Sequence, residues 1–151
     1  MAADPVLLDT SLIVAVSLEF HPGHQAALQY LARLELEKAA LCICPQVCRE
    51  FLVVLTRKPI GGRTFTVVEA LEVLAKWRRA CTLLEEDEAV VEQWLRLVEE
   101  HEVKGKQVHD ANIVAVMLSH GVTRLGTRNA ADFERYLARY GDRLQLEPVS
   151  S

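Results

Sequence analysis

Four acids stand out by their positions in the 151-residue chain. Asp9 ends the apolar run Val6-Leu7-Leu8, and Glu50 follows Cys44-Pro45-Gln46-Val47-Cys48-Arg49. Asp110 heads Asp110-Ala111-Asn112-Ile113-Val114-Ala115, and Asp132 falls in Asn129-Ala130-Ala131-Asp132-Phe133. At helical spacing Asp110 shares a face with Ile113, Val114 and Met117, while Glu50 adjoins Val47, Phe51 and Val54, so both carboxylates border buried stripes. A carboxylate drawn toward low dielectric takes up a proton unless cations or hydrogen bonds hold it ionised. Converging carboxylates add mutual repulsion, which a hard divalent cation with oxygen ligands relieves most directly. With neither His nor Cys in the set, Mg²⁺ or Mn²⁺ is favoured over Zn²⁺. Acids around such a cation suit phosphoryl transfer to water, which needs no nucleophilic side chain.

Each acid also has an ordinary structural reading. An acid just before, or within, the first turn of a helix commonly caps it or meets its dipole, and this applies to Asp9 and Asp110. Asn129 followed by an acid three residues on reads much like a capping box for Asp132. Glu50 differs, because it is mid-helix and its neighbours four residues away are Gln46 and Val54 rather than bases. It is the most telling of the four.

To meet, these acids must lie along one edge of a sheet. Short apolar or β-branched runs alternate with stretches of helical period, the pattern of an α/β domain with a mostly parallel sheet. Strands are expected over 6–9, 41–44, 82–84, 124–126 and 144–146, and helices over 11–17, 24–38, 46–57, 66–79, 87–101, 110–120 and 131–140. Pro45 suits a first helical turn and Gly121 a left-handed C-terminal cap, while Pro59, Gly61 and Gly62 mark a loop over 58–63. No repeat or linker divides the chain, so 1–151 is expected to be a single domain. Ligands of open parallel sheets bind beyond the carboxyl ends of the strands, where the four acids recur.

Composition narrows the function classes. Half of the residues are hydrophobic, 6% are aromatic, and 17 Lys+Arg against 21 Asp+Glu leave a net charge of −4. Disorder, collagen and disulfide scaffolds are excluded, and the acidic balance argues against broad, non-specific adhesion to nucleic acid while leaving room for a local basic rim. The apolar stretches fall short of the ~20 residues of a membrane helix and no basic region precedes an apolar block, so a cytoplasmic protein is expected. Cys42, Cys44, Cys48 and Cys81 lack zinc-site spacing and read as core residues. The histidines form no H-E-x-x-H arrangement, and Gly61-Gly62 lacks the Lys-Ser or Lys-Thr of a phosphate loop. Trp77 and Trp94 read as core or interface.

The segments Leu8-Asp9-Thr10-Ser11, Arg49-Glu50-Phe51, His109-Asp110-Ala111 and Thr127-Arg128-Asn129-Ala130-Ala131-Asp132-Phe133, in this order, give a chain that resembles the PIN-domain ribonucleases, specifically the VapC-like toxins of type II toxin–antitoxin pairs. The resemblance implies a three-layer, doubly wound α/β/α sandwich and Mg²⁺- or Mn²⁺-dependent cleavage of RNA. It implies that Asp9, Glu50 and Asp110 hold the metal with Asp132 as a more peripheral fourth acid, and that Asn129 departs from the acid many relatives carry there. It further implies a cognate antitoxin occupying the groove and a homodimer formed through the helices after the second strand. Among supporting residues, Ser11 and Thr127 offer hydroxyls to an acid or a water. Lys104, Lys106 and Arg128, with Arg57, Lys58 and Arg63, offer a rim that grips phosphates. A catalytically inactive PIN-like module for RNA or protein binding is the alternative. A dehalogenase-type phosphatase is disfavoured because Ser11 stands where that class needs a second Asp.

Overall fold

Val6, Leu7 and Leu8 are fully inaccessible to solvent, as an apolar run covered on both faces of a sheet must be. They form β1 (Val6–Leu8), the central strand of the computed structural model, which describes residues 3–57 and 63–150. The loop expected over 58–63, with Lys58, Gly61 and Gly62, lies outside the described residues except for Arg63. After β1 come α1 (Thr10–Ser17), α2 (His24–Glu37), β2 (Leu41–Ile43), α3 (Pro45–Arg57), α4 (Val67–Ala80) and β3 (Thr82–Leu83). The chain continues through α5 (Glu88–His101), α6 (Gln107–His120), β4 (Arg124–Thr127), a 3-10 segment (Ala130–Tyr136), α7 (Leu137–Tyr140) and β5 (Gln145–Pro148).

The strand order is β3-β2-β1-β4-β5 and every described pairing is parallel. The chain steps outward from β1 to β3, then returns to the other side of β1 for β4 and β5. Right-handed crossovers therefore place α1 to α4 on one face and α5, α6 and the 3-10 segment on the other. Contacts of α1 with α2 and α3, of α3 with α4, and of α5 with α6 agree with this. The result is the expected doubly wound three-layer sandwich. The winding reverses between β1 and β4, and the connections leaving the carboxyl ends of those two paired strands depart to opposite faces, which opens a crevice.

Local chemistry explains most element ends. Pro45 is the first residue of α3, and Gly121 closes α6 at φ 66°. The true capping box is Thr66 with Glu69 at the start of α4. Gly126 in β4 is needed for a different reason, because a Cβ there would come within 2.7 Å of the Tyr30 ring.

Two elements differ from expectation. Helix α6 starts one turn before Asp110, since the amides of Gln107, Val108 and His109 bond back to the carbonyls of Lys104, Gly105 and Lys106 and wind the chain early. The last helix is 3-10 from Ala130 to Tyr136 before its short α-turn. Phe133 and Tyr136, three residues apart, are both buried to 1% exposure or less, and the 3-10 winding, in which residues i and i+3 eclipse, sets both on one line against the core.

Candidate active site

Asp9 stands at the turn from β1 into α1, with its backbone N–H still donating to the Gly126 carbonyl at 2.9 Å. Its side chain does cap α1, one oxygen accepting from the Thr10 amide at 2.8 Å. The other oxygen accepts from Thr127 Oγ1 at 2.7 Å and Ser11 Oγ at 3.2 Å. The cap and the site acid are thus one residue. Burial pushes the Asp9 carboxyl above the usual aspartate range against the pull of the Thr127 and Thr10 bonds, and the nearby charge of Glu50 adds to the rise.

Glu50 lies a little over one turn into α3, between fully buried Val47 and Phe51. Its Oε1 accepts from Thr10 Oγ1 at 2.9 Å, which ties α3 to the start of α1, and from Gln46 Nε2 at 3.4 Å. Asp110, in the first turn of α6, is half-buried above Ile113 and Val114. Its carboxyl is pushed up to about 7, first by burial and then by the charges of Asp132, Asp9 and Glu50, with Arg135 pulling the other way. The four acids therefore act on one electrostatic site although they come from four separate segments. Asp132 is exposed on the 3-10 segment. Asn129 occupies the cap position before it but makes no capping bond through its side chain, so the capping box expected there does not form.

A cleft of about 340 Å³ opens between these groups, lined by Asp9, Thr10, Ser11, Val14, His21, Glu50, Val54, Asp110, Arg128 and Asn129. Arg128 is the expected cation that reaches it. Its guanidinium lies over Gly23, where a Cβ would meet Nε at 2.5 Å, and its amide donates to Ser11 Oγ at 3.0 Å. Thr127 is fully buried and accepts from the Asn129 amide at 3.0 Å. Lys104 and Lys106 are exposed in the turn before α6, outside the cleft lining. Arg63 is held by Glu69 at 3.5 Å and lies over the Phe65 ring.

Several participants were not legible as site residues. Thr10 and Gln46 were hidden because their partners lie 40 and 63 residues away. His21 also lines the cleft, with Nδ1 accepting from the Gly23 amide, and burial and Arg128 lower its pKa. The cysteines are as expected: Cys42 and Cys44 are buried, Cys48 and Cys81 pack against the core, and all four are free. Trp77 is core, and half-buried Trp94 donates to the Val108 carbonyl. Among the described residues no helix is long and apolar enough to cross a membrane.

None of the ion pairs among the described residues involves Asp9, Glu50, Asp110 or Asp132. Nor are three His, Cys, Asp or Glu side chains gathered there closely enough to enclose an ion alone. The acids of this open cleft offer only oxygen donors and carry no ion pair among the described residues, which fits Mg²⁺, since that ion typically keeps several waters and takes one or two carboxylates plus substrate phosphate. The arrangement does not fit Zn²⁺, which wants a closed set with His or Cys.

Fold and cleft correspond to a known family. The PIN domain matches residues 6–137, and the chain belongs to the PIN domain family. It is VapC-like within it. Ribonuclease VapC24 of Mycobacterium tuberculosis is 27% identical over 128 residues, covering 83% of this chain and 87% of that one. The structure of VapC20 of Mycobacterium tuberculosis, a sarcin–ricin-loop-cleaving toxin, superposes with a TM-score of 0.63 at 20% identity over 89% of this chain and 95% of that one. A chain of VapBC2 from Rickettsia felis, solved bound to promoter DNA, gives 0.66 at 16% identity over 95% and 97%.

Proposed function

We propose that this protein is a Mg²⁺- or Mn²⁺-dependent endoribonuclease, the toxin of a toxin–antitoxin pair. The observation that carries the proposal is that Asp9, Glu50 and Asp110 line one cleft at the reversal of the sheet, with Asp132 near enough to raise Asp110, and that none of the four has an ion pair among the described residues. Membership of the PIN family and similarity to ribonuclease VapC24 support it.

Asp9, Glu50 and Asp110 would hold the cation, with Asp132 at the cleft's edge. When bound, a divalent cation supplies Lewis-acid activation of water and phosphate and offsets charge on the leaving oxygen. The chain's own residues prepare the site. Thr127 and Ser11 orient the Asp9 carboxylate, and Thr10 orients that of Glu50. Arg128 offers positive charge to the substrate backbone at the rim, where phosphate contacts set register without reading sequence. With water as the attacking group the 2′-hydroxyl is not the nucleophile; the P–O bond to the 3′-oxygen breaks and that oxygen leaves, so the products carry 5′-phosphate and 3′-hydroxyl ends, and preference for RNA comes from shape and groove contacts.

An anionic cleft of this kind also suits inhibition by a cognate antitoxin that inserts a basic side chain among the acids. Exposed Val53 on α3, and Val67, Val68 and Leu71 on α4, support homodimerisation through the helices after β2. Incubation of the purified protein with structured RNA, in Mn²⁺ and then in excess chelator, tests the reading. Cleavage with 5′-phosphate ends that stops on chelation is expected. Intact RNA together with no calorimetric Mn²⁺ binding would instead support the inactive-module alternative.

A further inference from the structure

Gln46 is 5% exposed, in the first turn of α3 and one turn before Glu50. Buried amides are costly unless satisfied, and this one is bonded on every side. Its Nε2 donates to the His109 carbonyl at 3.0 Å and to Glu50 Oε1 at 3.4 Å, and its Oε1 accepts from Asn112 Nδ2 at 2.7 Å. Its backbone N–H donates to Glu86 Oε2 at 2.6 Å, while Glu86 Oε1 accepts from the same Asn112 side chain at 3.1 Å. His109 and Asn112 bracket Asp110 on α6. One side chain thus bridges the two helical layers over the carboxyl edge of the sheet, touching Glu50 on one side and the turn that carries Asp110 on the other.

The chemistry at position 46 is tightly specified. Rotating the amide would set Oε1 against the His109 carbonyl and the Glu50 carboxylate, and Nε2 against the Asn112 donor, so only one orientation satisfies all partners. Glutamate there would oppose a second carboxylate to Glu50. Methionine would fill the space yet leave the His109 carbonyl, and one donor of Asn112, without their partner. The bond to Glu50 is the longest of the set, and it shares Oε1 with Thr10, so two neutral donors anchor one oxygen of a carboxylate whose side chain lines the cleft.

We infer that Gln46 is a positioning residue, which sets the Glu50 carboxylate and the Asp110 turn relative to each other and so fixes the spacing of the acids. The inference rests on reading the cleft as a metal-dependent nuclease site. It predicts a role beyond stability, because loss of an outer partner that orients a metal-binding carboxylate typically costs 10–100-fold in affinity or activity.

Full-length wild type, Gln46→Met, Glu50→Gln and the double variant are compared by Mn²⁺ calorimetry, RNA cleavage kinetics and thermal unfolding. Gln46→Met should weaken Mn²⁺ binding about 10- to 100-fold and lower kcat with KM for RNA little changed. In the Glu50→Gln background the same substitution should add less than it does in wild type, since part of its effect runs through Glu50 and the rest through the Asp110 turn. Asn112→Ser, a milder change that frees one end of the amide, should move Mn²⁺ affinity the same way by about 5-fold, the worth of one hydrogen bond, and keeps the test decisive if Gln46→Met does not fold. Wild-type Mn²⁺ affinity and kcat in folded Gln46→Met, or in Asn112→Ser, would overturn the inference alone. A wild type that neither binds Mn²⁺ nor cleaves RNA would remove the nuclease reading and this inference with it.

Discussion

Asp9 and Glu147 flank the same strand, β4, and are almost equally hidden, at 8% and 9% exposure, yet their surroundings differ in kind. Glu147, on β5 opposite Gly126, takes Arg124 Nε at 2.7 Å, the Tyr30 hydroxyl at 2.6 Å and Gln145 Nε2 at 2.9 Å. Arg124 is itself shared with Glu37 at 3.0 Å. Burial pushes the Glu147 carboxyl up, but the Arg124 and Tyr30 bonds outweigh it and hold it below the usual range. Asp9 receives only neutral donors, and its neighbours Glu50 and Asp110 are further acids. The chain supplies its own counter-charge where a buried carboxylate serves architecture. At the cleft Arg128 and Arg135 are near, but none of the ion pairs among the described residues involves the acids, an arrangement that costs stability and suits a guest cation.

The largest test of this contrast is Asp110→Asn. Removing one of the clustered charges should cut Mn²⁺-dependent RNA cleavage about 10³-fold or more, given the several kcal/mol that a cation contributes to such chemistry. The folded, metal-free protein should at the same time become more stable at pH 8, the trade-off expected where function strains the fold. Denaturant titration beside the cleavage assay checks both halves, and loss of activity with loss of stability would break the comparison.

Arg124→Met is the mirror experiment. It strands Glu147 without its cation and should destabilise the fold by about 3–5 kcal/mol, as measured by urea unfolding, while the surviving folded fraction still cleaves RNA. A destabilisation below about 1 kcal/mol would mean that the ion pair is no more than a surface bridge.

The pH dependence should be smaller and of opposite sign at the two places. Asp110 in the fold titrates near 7, above its ordinary 3.8, so the folded state holds that proton more tightly. Its contribution favours folding at low pH and is lost as pH rises from about 4 to about 7. For a half-buried group this should amount to about 1–2 kcal/mol after solvent screening, should vanish in Asp110→Asn, and should shrink in saturating Mn²⁺. Glu147, with its carboxyl held low, contributes stability above the usual glutamate range that is lost as pH falls. Unfolding free energies at pH 3, pH 5 and pH 8 for wild type, Asp110→Asn and Arg124→Met separate the two, since the Glu147 contribution changes below pH 5 and the Asp110 contribution mainly above it. Smallest of all, Tyr30→Phe should cost about 1–2 kcal/mol through the bond to Glu147 and leave cleavage unchanged, so an altered cleavage rate would show that the two regions are coupled.

How far these features were readable in the residues depended on their range. The apolar run before Asp9, Pro45 at the head of α3 and Gly121 at the end of α6 act locally, and each was legible. The acids were found because Glu50 and Asp110 interrupt apolar faces of their own helices. Hidden were groups defined only by distant partners: Gln46 and Glu86 depend on Asn112, 66 and 26 residues away. The early start of α6 escaped notice because Lys106 offers no capping side chain. Periodicity also does not distinguish an α-helix from the 3-10 segment at 130–136, because buried Phe133 and Tyr136, three residues apart, share a face in either.

The strand order has a bearing on how the molecule is made. Strand β1 is synthesised first, but one of its two neighbours is β4, so Asp9 must wait for Thr127 through most of the chain's emergence. Contacts of such long range form slowly. A half-built molecule has neither the Thr127 hydroxyl that orients Asp9 nor the Arg128 side chain that lines the cleft, so the site is completed only after β4 has been made.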